Sequence, residues 1–335
     1  MVPLVCRRIT DVALDLVDDG ARDLLAATAR AAAARALAAS TELAGVVAAL
    51  TVAGVESIAY KGPALAADAY GSAELRPCND LDVVVAPERV ELAAAALAPA
   101  GYAPTGGASW REAAGAHDWQ GHVALSATGR TLPVELHWRF CDRKLAWNPP
   151  IVDVIARSAT ITIAGTQIRV PELHDQLLLV LLHAARHGWD RLEPLACVAA
   201  LLQRGSNGET LINRARAVGG LRACLVGLAL TRLAFGVHLP VGVANAIADD
   251  RTLRGLLERA ERRLRAGDAG DARDFRLHLA SLDGVTARVR YVVLAAALPT
   301  PRDFGVVRFP RALRVLYFPL RLLRLAGRAL NVTKR

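Results

Sequence analysis

Lysine is almost missing from this chain of 335 residues. Only Lys61, Lys144 and Lys334 are present, so nearly all of the 41 basic side chains are arginine. Residues 308–335 lack any acidic side chain while holding eight basic ones, which account for all but one of the nine net positive charges. The body of the chain is therefore nearly neutral, and its basicity belongs to the tail, which counts against a nucleic-acid-binding body. Cysteine is scarce and scattered: Cys6, Cys78, Cys141, Cys197 and Cys224 are odd in number and contain no C-x-x-C pair. That pattern excludes a disulfide framework and a zinc knuckle, and it fits a reducing cytoplasm. The opening "MVPLVCRRITDVALDLVDD" lacks the charged start, unbroken apolar region and small-residue cleavage site of a signal peptide. No uncharged apolar run reaches the length of about 18 residues that a spanning helix needs. A soluble or peripheral cytoplasmic protein is expected. G-x-x-x-x-G-K-S/T, G-x-G-x-x-G and G-x-S-x-G are all absent, which removes P-loop, dinucleotide-binding and serine-hydrolase readings.

The residues that are present divide the chain into three zones. Residues 1–54 form a helical segment, since 10–53 are rich in Ala and Leu with interspersed Arg and Asp, and two or three helices are predicted there. Residues 55–170 change character. Short runs bounded by Gly or Pro predict strands at Ser57–Tyr60, Leu81–Val85, His122–Ser126, Leu132–Trp138 and Thr160–Val170. Helices are predicted at Pro63–Tyr70 and Pro87–Leu97, each opened by proline in the favoured first turn. Residues 171–335 return to helix, from "PELHDQLLLVLLHAARHGW" to a basic amphipathic tail. The expected fold class is α+β, a small mixed sheet with helices, flanked by N-terminal helices and a C-terminal all-α domain.

Chemistry concentrates in the middle zone. In "YKGPALAADAYGSAELRPCNDLDVVV" Gly62 follows a predicted strand and precedes Pro63 at a helix start, where free N–H groups can face an anion. Asp80 and Asp82 are two residues apart at the mouth of a strand, so they share a face and repel unless a cation lies between them. In "LPVELHWRF" Glu135 sits in an apolar strand and needs a partner. If these strands adjoin, three carboxylates converge beside a helix start, which is how a protein holds one or two Mg²⁺ ions with a polyphosphate. Lys61 and Arg76 are candidate charge partners for the phosphates. His137 shares Glu135's strand face; a metal ligand, a substrate contact and a hydrogen-bonded structural histidine all stay open for it.

These residues resemble the DNA polymerase β-type nucleotidyltransferase superfamily, with its Gly-containing turn, D-x-D/E strand and third acid on a neighbouring strand. "YKGPALAADAY", "RPCNDLDVVV", "VELHWRF" and "LHDQLLLVLLHAARHGWDRL" are more closely similar to an uncharacterised bacterial nucleotidyltransferase family with a Lys-Gly turn, an Arg before the D-x-D and an acid-x-His-Trp strand. The resemblance covers about residues 40–330. It implies a polymerase β-type core and Mg²⁺-dependent transfer of a nucleoside monophosphate from an NTP to an acceptor. On it, Asp80 and Asp82 bind the metals, Glu135 completes the catalytic metal site, and Gly62 contacts the triphosphate. The chain departs from the pattern at Pro63, where the usual Gly or Ser would keep a backbone donor; Lys61 is the compensating charge. A non-catalytic, antitoxin-like module that binds a partner protein is the alternative.

Two further features stand apart. His183 and His187 are four residues apart on a helix, but they lack the Glu of H-E-x-x-H and a clear third ligand, so closure over the cleft or simple packing is expected rather than zinc. In the tail, Arg314, Arg321, Arg324 and Arg328 share one helical face and Leu313, Leu316, Leu320 and Leu323 the other, with Pro319 expected to kink or split the helix. A last packed helix with buried leucines is expected, and peripheral membrane contact stays open.

Overall fold

In a computed structural model of the protein, residues 1–267, 275–298 and 316–332 are described, with single positions 307, 309 and 313 between the last two. The chain starts with α1 (Val2–Val12) and a 34-residue α2 (Asp19–Val52). The predicted two or three helices over 10–53 are thus one long helix preceded by the end of another. The Asp18 carboxylate caps α2 by accepting from the Ala21 N–H at 2.7 Å, and alanine, the best helix former, fills the stretch with no proline to break it. By length and composition α2 is apolar enough to cross a membrane, yet nearly half of its most apolar stretch is buried inside the protein. Leu43, Val46, Val47 and Leu50 pack against the sheet.

That sheet has five strands in the order β1 (Ser57–Ala59), β2 (Leu81–Val85), β5 (Val134–His137), β4 (His122–Ser126) and β3 (Ala103–Pro104). It is mixed: β2 and β5 are parallel and every other pairing is antiparallel. The helices α3 (Gly62–Tyr70), α4 (Val90–Leu97) and α5 (Trp110–His117) fall between its strands. Alternation fixes which side chains go where. Leu81, Val83 and Val85 of β2, Val123 and Leu125 of β4, and Val134 and Leu136 of β5 join one apolar core with α2 and α4. Asp82, His122, Glu135 and His137 are consequently left to the opposite face.

Thr160–Val170 is a hairpin rather than one strand. β6 (Ala159–Ile163) and β7 (Thr166–Val170) pair across Ala164 and Gly165, whose φ values of +47° and +78° make the two-residue turn that matches strand twist. A short α6 (Ile151–Arg157) precedes it.

From α7 (Leu173–Arg186) the protein is helical: α8 (Leu192–Leu202), α9 (Gly208–Ala217), α10 (Leu221–Phe235), α11 (Val241–Asp249), α12 (Leu253–Ala266), α13 (Phe275–Ser281), α14 (Gly284–Ala297) and α15 (Tyr317–Val332). A second apolar core centred on α7, α8 and α10 also takes in Ile58, Tyr60 and Val84 from the sheet, so the helical region packs directly on the polar-bearing face. Two buried polar contacts fix that docking. The Gln176 amide on α7 donates to the Tyr60 carbonyl at 2.9 Å, and buried Asp175 accepts from Arg157 and Arg214, each at 2.9 Å.

The tail differs from expectation. Pro319 falls in the first turn of α15, where its missing N–H costs nothing, so no kink arises. Tyr317 is buried and the Arg321 guanidinium donates to the Ala295 carbonyl of α14, whereas Leu313, Leu316 and Leu323 are exposed. Tyrosine and arginine, not these leucines, hold the helix on the body. Arg314 lies outside the described residues, as does the side chain of Arg328.

Gly121 sets the entry of β4 beside the polar face. Its carbonyl accepts from the N–H groups of Trp138 and Arg139, its φ is +79°, and an added Cβ would stand 2.4 Å from the Arg139 Cβ. Gly121→Ala therefore forces two backbones apart in a left-handed conformation. It should destabilise the protein by about 2–4 kcal/mol in urea unfolding; a change within the usual surface range of about 0.5 kcal/mol would refute the close approach.

Candidate active site

Parallel pairing places Asp82 and Glu135 directly side by side, and antiparallel pairing places His122 opposite His137 on the next strand. Three strands thereby put four polar side chains on one patch. The Lys61 ammonium, at the end of β1, donates to Asp82 Oδ1 at 2.7 Å and lies over the Tyr60 ring at 4.7 Å. His137 Nε2 faces both carboxylates, 3.1 Å from Asp82 Oδ1 and 3.2 Å from Glu135 Oε2. Of the three carboxylates expected to converge, Asp82 and Glu135 are brought together, since one imidazole nitrogen reaches both.

Asp82 is 2% exposed and its second oxygen, Oδ2, is buried without a partner among the described residues. Burial alone would raise its pKa, but the Lys61 charge and the His137 hydrogen bond outweigh burial and hold it well below the usual carboxylate range. Glu135 goes the same way: burial opposes ionisation and the His137 hydrogen bond prevails. Lys61 and His137 respond reciprocally. Each is pushed down by burial and carried above its ordinary value by Asp82, with Glu135 also acting on His137. Asp80, just ahead of β2, has no ion-pair partner among the described residues, though the charges of Lys61 and Arg76 act on it from a distance. Burial first, then the charges of Asp82 and Glu135, push it up to about 6.

His122 stacks on His137 with ring centroids 4.6 Å apart. Burial and neighbouring His137 push its pKa down to about 4, so it is neutral near pH 7. Sequence reasoning missed this residue. The strand that carries it was legible, but its place opposite His137 depends on the register of two strands that are neighbours only in the fold.

Gly62 has φ +54°, and a Cβ there would touch the Asp80 carbonyl at 3.4 Å, so glycine lets the turn pack closely against the loop before β2. Pro63 follows within the first turn of α3. A cavity of about 210 Å³ opens beside this turn. Lys61, Arg76 and Asp80 line one wall; His183, His187, Trp189 and Arg191, from the end of α7 and the start of α8, line the other. Arg76 is mostly buried and paired with Glu193 at 2.9 Å rather than free. His183 and His187 are both depressed, chiefly by burial, and their rings lie 4.7 Å apart. They face the cavity, and among the described residues the grouping with metal-ligand spacing is His122, Glu135 and His137.

A sequence profile described as an uncharacterised nucleotidyltransferase matches residues 1–236. Comparison with curated proteins gives no match. Among solved structures, an antigenic nucleotidyltransferase-like protein from Paracoccidioides brasiliensis aligns at 14% identity and a TM-score of 0.40, over 62% of this chain and 91% of that one. The antibiotic-resistance factor ANT(2'')-Ia aligns at 13% identity and a TM-score of 0.31, over 65% and 93%.

The raised Asp80 carboxyl gives a measurable consequence. Its protonated form persists to about pH 6, so a dication sharing this patch competes with a proton below that value and binds more tightly as pH rises through it. In carboxyl-carbon NMR Asp80 should titrate near pH 6 in metal-free protein and shift downward with saturating Mg²⁺. An Asp80 titration unmoved by Mg²⁺ would place the ion elsewhere.

Proposed function

Because the chain belongs to the uncharacterised nucleotidyltransferase family, we propose that it transfers a nucleoside monophosphate from an NTP to an acceptor hydroxyl or phosphate, using Mg²⁺ and releasing pyrophosphate. The observation that carries this reading is the single polar face on which Asp82 and Glu135 stand in register, next to a cavity whose walls bear Lys61, Arg76 and Arg191. Mg²⁺ is a hard cation that takes oxygen ligands. The residues fit it, since Asp82 Oδ2 is buried without a partner and the charges of Asp82 and Glu135 crowd Asp80. Asp80, Asp82 and Glu135 would hold the ion, which when bound neutralises charge developing on the phosphates.

The remaining work falls to the chain's own groups. The acceptor oxygen attacks the α-phosphorus in line; its bond to phosphorus forms as the bond to the departing pyrophosphate breaks. Glu135, kept ionised by His137, takes the proton of an acceptor hydroxyl. Lys61 and Arg76 face the phosphate charge from one wall of the cavity, and Gly62 lets the turn run beside it. Pro63 offers no N–H, so charge from Lys61 replaces a missing backbone donor. The acceptor is a small molecule, peptide or protein, and the setting is a reducing cytoplasm.

One observation favours a second reading. Lys61 already sits on Asp82 Oδ1 at 2.7 Å, and an ammonium that stands in for the dication would make the protein a non-catalytic, antitoxin-like module that binds a partner protein. The two readings separate in one assay, in which each of the four NTPs with Mg²⁺ is screened for pyrophosphate release with cell extract as the acceptor source. Transfer predicts release that falls by at least about 10² in Asp82→Asn, and weaker NTP binding in Lys61→Ala, measured at a temperature where circular dichroism shows the variant folded. No release with any NTP, together with unchanged NTP binding in Lys61→Ala, would establish the binding module instead.

A further inference from the structure

We propose that His122 is a metal ligand, and that with Glu135 and His137 it makes this site select a first-row transition dication of the Mn²⁺, Co²⁺ and Zn²⁺ class over Mg²⁺. The proposal rests on the nucleotidyl-transfer reading only in placing a dication at Glu135. His122 carries the argument because hydrogen bonding does not account for it. Its Nδ1 is buried without a partner, and its Nε2 lies 3.9 Å from Glu135 Oε2, beyond hydrogen-bond reach. A buried imidazole nitrogen with no hydrogen-bond partner among the described residues calls for an explanation. Nor is it loosely held, since it is stacked on His137 at an interplanar angle of 26° and fixed by strand register opposite that residue.

The geometry around it is that of a ligand set. One donor atom from each of His122, Glu135 and His137 lies within 4.8 Å of the other two. Nitrogen and oxygen ligands at about 2.0–2.2 Å from a common ion stand roughly 3.0–3.5 Å from one another. His137 Nε2, which gives up the proton it shares with the carboxylates when it binds metal, is already 3.2 Å from Glu135 Oε2 and 3.1 Å from Asp82 Oδ1. His122 Nε2, at 3.9 Å from Glu135 Oε2, has to close on that oxygen by less than an ångström. Asp82, with Oδ2 buried and unpartnered, adds a carboxylate at the border of the set. A structural histidine shared by two carboxylates explains His137 but not His122. Imidazole nitrogen favours borderline transition ions, whereas Mg²⁺ prefers oxygen and dehydrates reluctantly.

The test needs no nucleotide. Chelator-stripped full-length protein is titrated with Co²⁺ and followed by visible d–d absorption, with Mg²⁺ as competitor. One Co²⁺ is expected to bind with nitrogen-shifted bands, to resist a hundredfold excess of Mg²⁺, and to bind at least about tenfold more weakly in His122→Ala with an unchanged melting temperature. Displacement by tenfold Mg²⁺, or undiminished Co²⁺ affinity in His122→Ala, overturns the proposal. If His122→Ala fails to melt cooperatively, pulsed EPR of Mn²⁺ bound to the unaltered chain decides: imidazole ¹⁴N modulation supports it, and water and carboxylate signals alone refute it. Mg²⁺-supported nucleotide transfer without imidazole modulation retires this proposal and leaves the transfer reading standing. Imidazole-bound metal without transfer does the reverse.

Discussion

A carboxylate that is 2% exposed must be answered by positive charge, and the arrangement of this protein around Asp82 follows from that requirement. Lys61, in the turn between β1 and α3, and His137, on β5, provide the answer, one on each side of β2. Because both partners are themselves buried, each depends on Asp82 for its charge as much as Asp82 depends on them. Removal of any one member leaves the others as uncompensated charges in a low-dielectric setting, which is costly. The cluster is therefore poor as a device for stability and good as one for function. It holds a strongly ionised carboxylate at a fixed place with one oxygen still unpartnered.

The same strand alternation that builds the core builds the site. On β2 and β5 every second residue is apolar and enters the core with α2, so the intervening Asp82, Glu135 and His137 are forced to the other face. A one-residue slip in the β2–β5 register would exchange the two sets and bury the carboxylates against Leu43 and Leu50. The apolar core thus selects the register that aligns the acids, and Gly121 supports it from the β4 side by letting two backbones approach closely.

This is also why some features were legible in the sequence and others were not. Strand β2 and strand β4 could be read to their observed limits, because alternation and flanking turns are local. The shared face of Glu135 and His137 followed from a period of two, whereas Asp80, read onto the same strand as Asp82, lies in the bend just before β2. His122 escaped notice because its meaning comes from a cross-strand partner, and pairing is not local. The Lys61–Asp82 ion pair escaped for the same reason: Lys61 was assigned to phosphate from its neighbourhood to Gly62, while the fold brings Asp82 within 2.7 Å of it. The hairpin at Ala164 and Gly165 was overlooked because alanine rarely takes positive φ and so gives a weak turn signal. The long α2 was divided because charges spaced along an alanine-rich stretch look like boundaries when nothing shows what they face.

The helical region does more than cover the sheet. Through Gln176 and Asp175 it is bound to the strand end that carries Lys61 and to the segment after β5, so α7 is held in fixed relation to the carboxylates. The end of α7 and the start of α8 then supply His183, His187 and Arg191 to the far wall of the cavity. The two histidines are neutral, kept so by burial and by nearby cations, and they contribute shape and hydrogen-bonding capacity rather than charge. Positive charge comes from Lys61, Arg76 and Arg191, and all three already have an acid beside them: Lys61 pairs with Asp82, Arg76 with Glu193 and, more loosely at 3.9 Å, Arg191 with Asp190. A polyanion entering this cavity must therefore compete with resident carboxylates for its cations. Such competition penalises weakly charged ligands, and under the proposed transfer reading it would reward one that brings its own dication to Asp82 and so frees Lys61. Under the proposed transfer reading, the pairing of these cations would in this way act as a filter for a metal-bound polyphosphate.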